Sequence, residues 1–318
     1  MRRSYKRCST LPHRTSIRHN DAGGPQRCGH ASTRERDRAG ATVPLEKAKP
    51  LLAAAEQGGY AVPGFNVSNV EMALGVVAAA EELRAPIFLQ FNPANFEHVG
   101  SIEVAAAIGR AIAMRATVPV ALHLDHAPTV ALIRQAIRLG FTSLMFDGST
   151  SPLDRNRRET MEAFAAAQEV QLSLEAELGH VGGREPGVRT SETILTDPEV
   201  AARFVEETRV DSLAVSVGTA HGLAGEIRLD LVRELRIATR QLPLVLHGGS
   251  GATAHDLREA VRAGIRKVNI GTEIHSAFAR ALAEGTGNDP RPALRAGRDA
   301  VAAVAADRIR LLGAARRA

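Results

Sequence analysis

In Val118-Pro119-Val120-Ala121-Leu122-His123-Leu124-Asp125-His126 an apolar run ends in a carboxylate set between imidazoles. Alternating with period two, the run reads as a β-strand, which puts His123 and Asp125 on one face and His126 just past the last pairing position. An acid and a base therefore emerge together at a strand tip. Two more histidines repeat the pattern, since His221 ends the run 214–220 and His247 ends the run 243–246. Three imidazoles at three strand ends, one with an Asp beside it, suit a catalytic metal site whose ligands come from separate strands.

Outward from this stretch the chain alternates. Short β-rich runs occupy 61–67, 86–92, 118–126, 143–149, 171–179, 212–222, 243–251 and 267–272. Between them, segments at 70–84, 103–115, 130–139, 157–169, 198–208, 231–240 and 254–263 carry helical spacing. Thr129, Asp197-Pro198 and Thr253 stand where helix caps are expected. Eight strands, each followed by a helix, predict an α/β fold, a (β/α)8 TIM barrel, with its nearly continuous apolar strands covered on both faces. Residues 290–318 add Arg/Ala-rich helix beyond the eighth unit. In such a barrel chemistry collects at the C-terminal ends of strands. His126, His221, His247, Asp125, Asp147, Glu177 and Asn269 all fall there.

The chain of 318 residues is 44% hydrophobic, enough for one large domain. Its net charge of +5 is a local excess, because residues 1–40 hold ten Arg or Lys against three acids. That segment, with no periodicity, reads as a disordered basic extension over 1–42, ahead of a barrel over 43–318. The rest is close to neutral, has no Trp, and offers neither a basic face nor a stacking platform for nucleic acid. No apolar run approaches the roughly 20 residues that cross a bilayer. Both cysteines, Cys8 and Cys28, lie in the extension, and with His13 and His30 they match no compact zinc-ligand spacing. A body without cysteines fits a reducing, cytoplasmic location.

Three imidazole nitrogens leave a fourth position open, the arrangement of a catalytic zinc. Asp125 beside His126 is placed to move a proton, or else to orient a ligand imidazole. Glu175 and Glu177 share one face of strand five, where a buried carboxylate needs a partner. Glu177 and Asp147 suit a second cation position, divalent or monovalent, or a salt bridge. His98, His180 and His255 are expected in solvent, and Lys267 is expected to start strand eight, away from the chemistry. His247-Gly248-Gly249-Ser250-Gly251 and Asn269-Ile270-Gly271-Thr272 follow strands seven and eight and open onto helices, where barrel enzymes often cradle a phosphate. The polar, Gly-rich loop 179–194 carries Glu185 and reads as a mobile lid.

Taken together, YAVPGFNV, LHLDH, FDGS, LEAELG, VGG, VGTAHG, LVLHGGSG and KVNIGTE, in this order over about 44–312, resemble the class II, metal-dependent ketose-bisphosphate aldolases. The resemblance implies zinc on His126, His221 and His247, Asp125 as acid/base, and Glu185 as a loop acid. It assigns Gly222, Gly248, Gly249, Ser250, Asn269, Ile270, Gly271 and Thr272 to the dihydroxyacetone-phosphate half, with Asn66 near substrate. A homodimer or homotetramer acting on fructose or tagatose 1,6-bisphosphate is implied. Gly271 stands where fructose-type members often carry an acid or amide, and tagatose-type relatives tend to be small there. His275 stands where relatives offer a base to the distal phosphate, or is a surface histidine. The alternatives are an aldolase for another phosphorylated keto-sugar acid, such as 6-phospho-5-dehydro-2-deoxygluconate, or a zinc hydrolase on the same barrel. The hydrolase lacks a His-x-His on strand one, where Phe65-Asn66-Val67 stands.

Overall fold

A computed structural model describes residues 45–182, 193–219, 225–285 and 287–318. Eight parallel strands close into a barrel in sequence order: β1 (Val62–Asn66), β2 (Ile87–Phe91), β3 (Val120–Ala127), β4 (Ser143–Phe146), β5 (Leu174–Leu178), β6 (Ser212–Val215), β7 (Leu244–Leu246) and β8 (Ile265–Ile270). The β1–β8 register Gly64↔Asn269 completes the ring. Helix α1 (Ala48–Gly58) precedes β1, and α2 (Val70–Leu83) follows it. After β2 come α3 (Pro93–Val99) and α4 (Ile102–Ala113), and then one helix after each strand: α5 (Val130–Leu139), α6 (Leu153–Gln168), α7 (Pro198–Thr208), α8 (Leu229–Ala238), α9 (Ala254–Ala263) and α10 (Thr272–Ala283). The last helix, α11 (Arg291–Leu311), is the one expected from the Arg/Ala-rich tail.

Local chemistry sets the helix starts. The Thr129 side chain accepts from Leu132 N, Asp197 from Glu199 N and Val200 N, and Thr253 from Asp256 N. Each satisfies backbone donors that have no partner inside the helix. Strands are less faithful to the sequence. β6 and β7 stop well short of the apolar runs that announced them, because residues past Val215 and Leu246 leave the sheet to build the mouth. β8 starts two residues earlier than expected, so Lys267 is a mid-strand residue and not its first. α1 and α3 were not expected: α1 lies before the β/α repeat, and α3 sits within one βα connection. The predicted extension 1–42, including Cys8 and Cys28, lies outside the described residues.

The main core lies between the strands and the helical ring, with Phe65, Phe91, Phe141, Phe146 and Phe204 buried in it. Inside the barrel the filling is different. Met145, Ala214 and Val245 form a small separate apolar cluster, while Gln90, His123, Ser143, Glu175, Lys267 and Asn269 are also buried. Their registers, Gln90↔His123, His123↔Ser143, Glu175↔Met145 and Val245↔Lys267, place them all on the inward face. Helix α11 packs along α2, with Gly75 so close that an added Cβ would lie 2.5 Å from Arg298 O. Beyond it, Arg316 N and Ala318 N donate to Leu83 O and Arg84 O.

Candidate active site

The mouth is built by a break in β3. Leu124 pairs with Leu144 and Ala127 with Phe146, so the interval on β3 carries one residue more than that on β4, a β-bulge. His126 sits in this bulge with φ +51°, a backbone conformation a non-glycine residue rarely adopts. Strict alternation would send consecutive residues Asp125 and His126 to opposite faces. The left-handed turn brings both to the mouth instead. His126 therefore lies within the strand, not just past its end, and the sequence carried no sign of the bulge.

Asp125 is held by amides on both sides: Asn66 Nδ2 donates to Oδ2 at 2.7 Å and Asn269 Nδ2 to Oδ1 at 3.1 Å. Burial works to raise this carboxyl, but His126, His247, Lys267 and His123 outweigh it and hold Asp125 well below the usual carboxylate range. Asn66, expected near substrate, thus has its amide donor engaged on the acid. His126 Nδ1 lies 2.8 Å from Asp147 Oδ2, and its ring meets that of His247 edge to face at 4.7 Å between centroids. Burial disfavours the His126 cation, yet Asp125, Asp147 and Glu177 push its pKa up to about 10. His247 is raised as well: burial opposes, and hydrogen bonds to Glu175 and Glu177 prevail. Asp147 lies well below its ordinary value because, against burial, it accepts from His126 and from Ser149 N.

Two groups of ligand atoms lie within 4.8 Å of one another: Asp125, His126 and His247; and His126, Asp147 and Glu177. Mixed imidazole and carboxylate donors are what a borderline divalent ion takes. Cation binding would displace protons that the carboxylates now hold on the imidazoles, since His coordinates as a neutral base. His126 and His247 belong to the first group as the sequence suggested. Asp147 and Glu177 share the second group with His126, so the geometry accommodates both a second position and a role in orienting His126. Of the other expected residues, His221, Gly222 and Glu185 lie outside the described residues.

The two turns expected to cradle phosphate stand side by side. Gly248 has φ +69°, and a Cβ on Gly249 would lie 2.5 Å from Val268 Cγ1 and 3.0 Å from Asn269 O, so these positions require glycine. Ser250 and Thr272 line one cleft of about 740 Å³ with Arg280 and Arg308. Ile270 is buried in the core between barrel and helices, and Gly271 immediately precedes α10. His275 Nε2 lies 3.2 Å from Ser68 Oγ, which also accepts from Asn95 Nδ2.

Two expectations change. Lys267 is fully buried inside the barrel, with Nζ 2.8 Å from Glu175 Oε2 and 3.2 Å from His123 Nε2. Its i, i+2 spacing to Asn269 was the signal that both point inward. His180 is buried, with Nδ1 3.0 Å from Ser149 Oγ, while His98 and His255 are exposed as expected. Glu175 has its required partner in Lys267.

A closed barrel whose mouth gathers imidazoles and carboxylates within reach of one ion has the donor set that a metal-assisted barrel enzyme uses. The family model described as fructose-bisphosphate aldolase class-II matches residues 46–317, and the chain belongs to that family. It is a class II aldolase, a carbon–carbon lyase of a generally metal-dependent family that acts on phosphorylated sugars. Among solved structures, the YdjI aldolase of Escherichia coli K12 is similar at 36% identity and a TM-score of 0.78, covering 86% of this chain and 99% of that one. The fructose-bisphosphate aldolase (Fba) of Campylobacter jejuni shares the fold at 23% identity and a TM-score of 0.70, over 85% of this chain and 95% of that one.

Proposed function

We propose that this aldolase cleaves a ketose 1,6-bisphosphate reversibly into dihydroxyacetone phosphate and glyceraldehyde 3-phosphate, with zinc held by His126, His247 and His221. The observation that carries this reading is Asp125, an ionised carboxylate clamped by Asn66 and Asn269 beside His126 and His247. When bound, the ion would supply Lewis acidity for the charge that develops at the ketose carbonyl as the C3–C4 bond breaks. Asp125 takes the C4 hydroxyl proton during cleavage and returns it during condensation. The amides of Asn66 and Asn269 aim the carboxylate, and its depressed pKa keeps it ready as a base at neutral pH. Gly248, Gly249 and Ser250, with Asn269 to Thr272, offer backbone donors to the phosphate at the start of α10. Glu185 is assigned to the carbon that becomes nucleophilic, by the family resemblance.

The small Gly271 favours a tagatose-type over a fructose-type preference. A coupled assay of triose-phosphate release from both epimers, with and without added zinc, tests the proposal. Zinc-dependent cleavage with one epimer preferred supports it and assigns the stereochemistry. Failure on both epimers by folded, zinc-loaded protein moves the substrate to another phosphorylated keto compound, and cleavage that survives metal removal refutes the role given to zinc.

A further inference from the structure

Lys267 and Glu175 form an ion pair in the interior of the barrel, with the Lys267 side chain wholly inaccessible. Barrel interiors are normally filled by branched apolar side chains, as Met145, Ala214 and Val245 fill part of this one. Exchanging a buried ion pair for apolar residues of similar volume is often neutral or stabilising, so the pair is weakly explained by stability. Its geometry points elsewhere. Glu175 Oε2 accepts from Lys267, and Glu175 Oε1 lies 3.2 Å from His247 Nε2. Glu175 and Glu177 face the two ring nitrogens of His247 and each carboxylate is acceptor only, so without a cation both nitrogens carry protons; when a cation is bound, the Nε2 proton stays on the Glu175 side and Nδ1 is the nitrogen that presents its lone pair. Nδ1 is the nitrogen that faces Glu177 Oε2, at 3.2 Å, in the cluster with His126.

Lys267 is itself aimed. An ammonium can only donate, so His123 Nε2 is the acceptor of its bond. The His123 proton is then on Nδ1, directed at Ser143 Oγ at 2.6 Å. The order Ser143, His123, Lys267, Glu175, His247 runs from the barrel interior to the mouth as a chain with each donor and acceptor determined.

We propose that Glu175 and Lys267 are positioning residues for the metal. Glu175 selects the His247 tautomer that coordinates through Nδ1, and Lys267 anchors and neutralises Glu175 so that it can do so. The inference rests on the proposed zinc site. Removing such outer partners of a ligand imidazole typically costs 10- to 100-fold in metal affinity.

The test compares zinc dissociation constants, by competition with a chromophoric chelator, and cobalt(II) absorption spectra across five variants. Lys267→Met strands the Glu175 charge and should weaken zinc binding about 10- to 100-fold. Lys267→Met/Glu175→Gln removes both charges but keeps an acceptor for the Nε2 proton, so affinity should return to within a few-fold of the parent. Lys267→Met/Glu175→Leu also strands no charge but has no acceptor, and should lose 10- to 100-fold with an altered cobalt spectrum. Equal zinc affinity in these two double variants overturns the proposal even if Lys267→Met does not fold. So does a loss of thermal stability in Lys267→Met with affinity and spectrum unchanged. His247→Ala separates the premises: retained zinc affinity in that variant refutes the site itself. A loss there, with Glu175→Leu unaffected, refutes only the positioning role.

Discussion

At the scale of single residues, the site depends on side chains that point where periodicity alone would not send them. His126 reaches the mouth because its φ is +51°. Asp125 and Asn269 were legible from their places at strand ends, and the structure joins them by a hydrogen bond across the barrel. Asn66 was legible as a mouth residue but not as a partner of the acid, since nothing in a sequence reports which of several nearby groups an amide will choose. Lys267 was misplaced by taking β8 to begin at that residue, although its spacing to Asn269 held the answer. The Asp125→Asn variant should keep its fold and its zinc while kcat falls about 100- to 10,000-fold, the usual worth of a positioned acid/base. The assay is triose-phosphate release, with metal content measured on the same sample. A loss of activity that tracks a loss of zinc would instead assign Asp125 to holding the ion.

At the scale of elements, helices were read more closely than strands. Val130–Leu139, Pro198–Thr208 and Ala254–Ala263 coincide with their expected bounds, because a cap residue and an apolar stripe are both local signals. Strand ends are decided by the neighbouring strand, which sequence does not display, so the apolar stretch past Val215 looked like more of β6. The long α11 was legible by composition, but its docking on α2 was not. Gly75 marks that docking, and Gly75→Leu would drive a side chain into Arg298 O and Val301. Overpacking of this kind costs about 1–3 kcal/mol. Urea denaturation should show the destabilisation while the activity per folded molecule stays near that of the parent, since Gly75, Arg298 and Val301 are not among the residues that line the cleft beside Ser250 and Thr272. A large fall in specific activity would show that this interface shapes the site.

Over the whole molecule, the polar filling of the barrel makes stability depend on pH. Burial and the neighbouring Lys267 push His123 down to about 3 from an ordinary value near 6.5, so between these values the unfolded chain binds a proton that the folded one does not. Stability contributed by neutral His123 is full above about 6.5 and declines as pH falls toward 3, with a slope of up to ~1.4 kcal/mol per pH unit. Glu175 is favoured by burial to rise but is held at about 2 by Lys267 and hydrogen bonding to His247, so it adds a decline of the same sign below about 4.5. Between pH 7 and 6 the raised His126 and His247 work the opposite way, so the steady fall of the urea midpoint should appear at pH 6, 5 and 4, and His123→Gln should flatten the portion between 6 and 4.5. An unchanged slope in that variant would mean that other groups set the acid limit. The class of fold was legible at this scale because eight repeats of one pattern leave few alternatives, whereas the charged interior is a property of closure.

Closure also has a consequence for how the chain is made. β1 pairs with β8, and the outer side of α2 is covered by α11, so the first βα unit to leave the ribosome obtains both of its remaining neighbours from the last part to be translated. Phe65 and Val76 in this unit are buried in the finished fold, and apolar surface there is expected to stay uncovered until the last part is made. Nascent chains of this protein halted before β8 should be captured by chaperones and cut readily by proteases, and protection should arrive in one step on release.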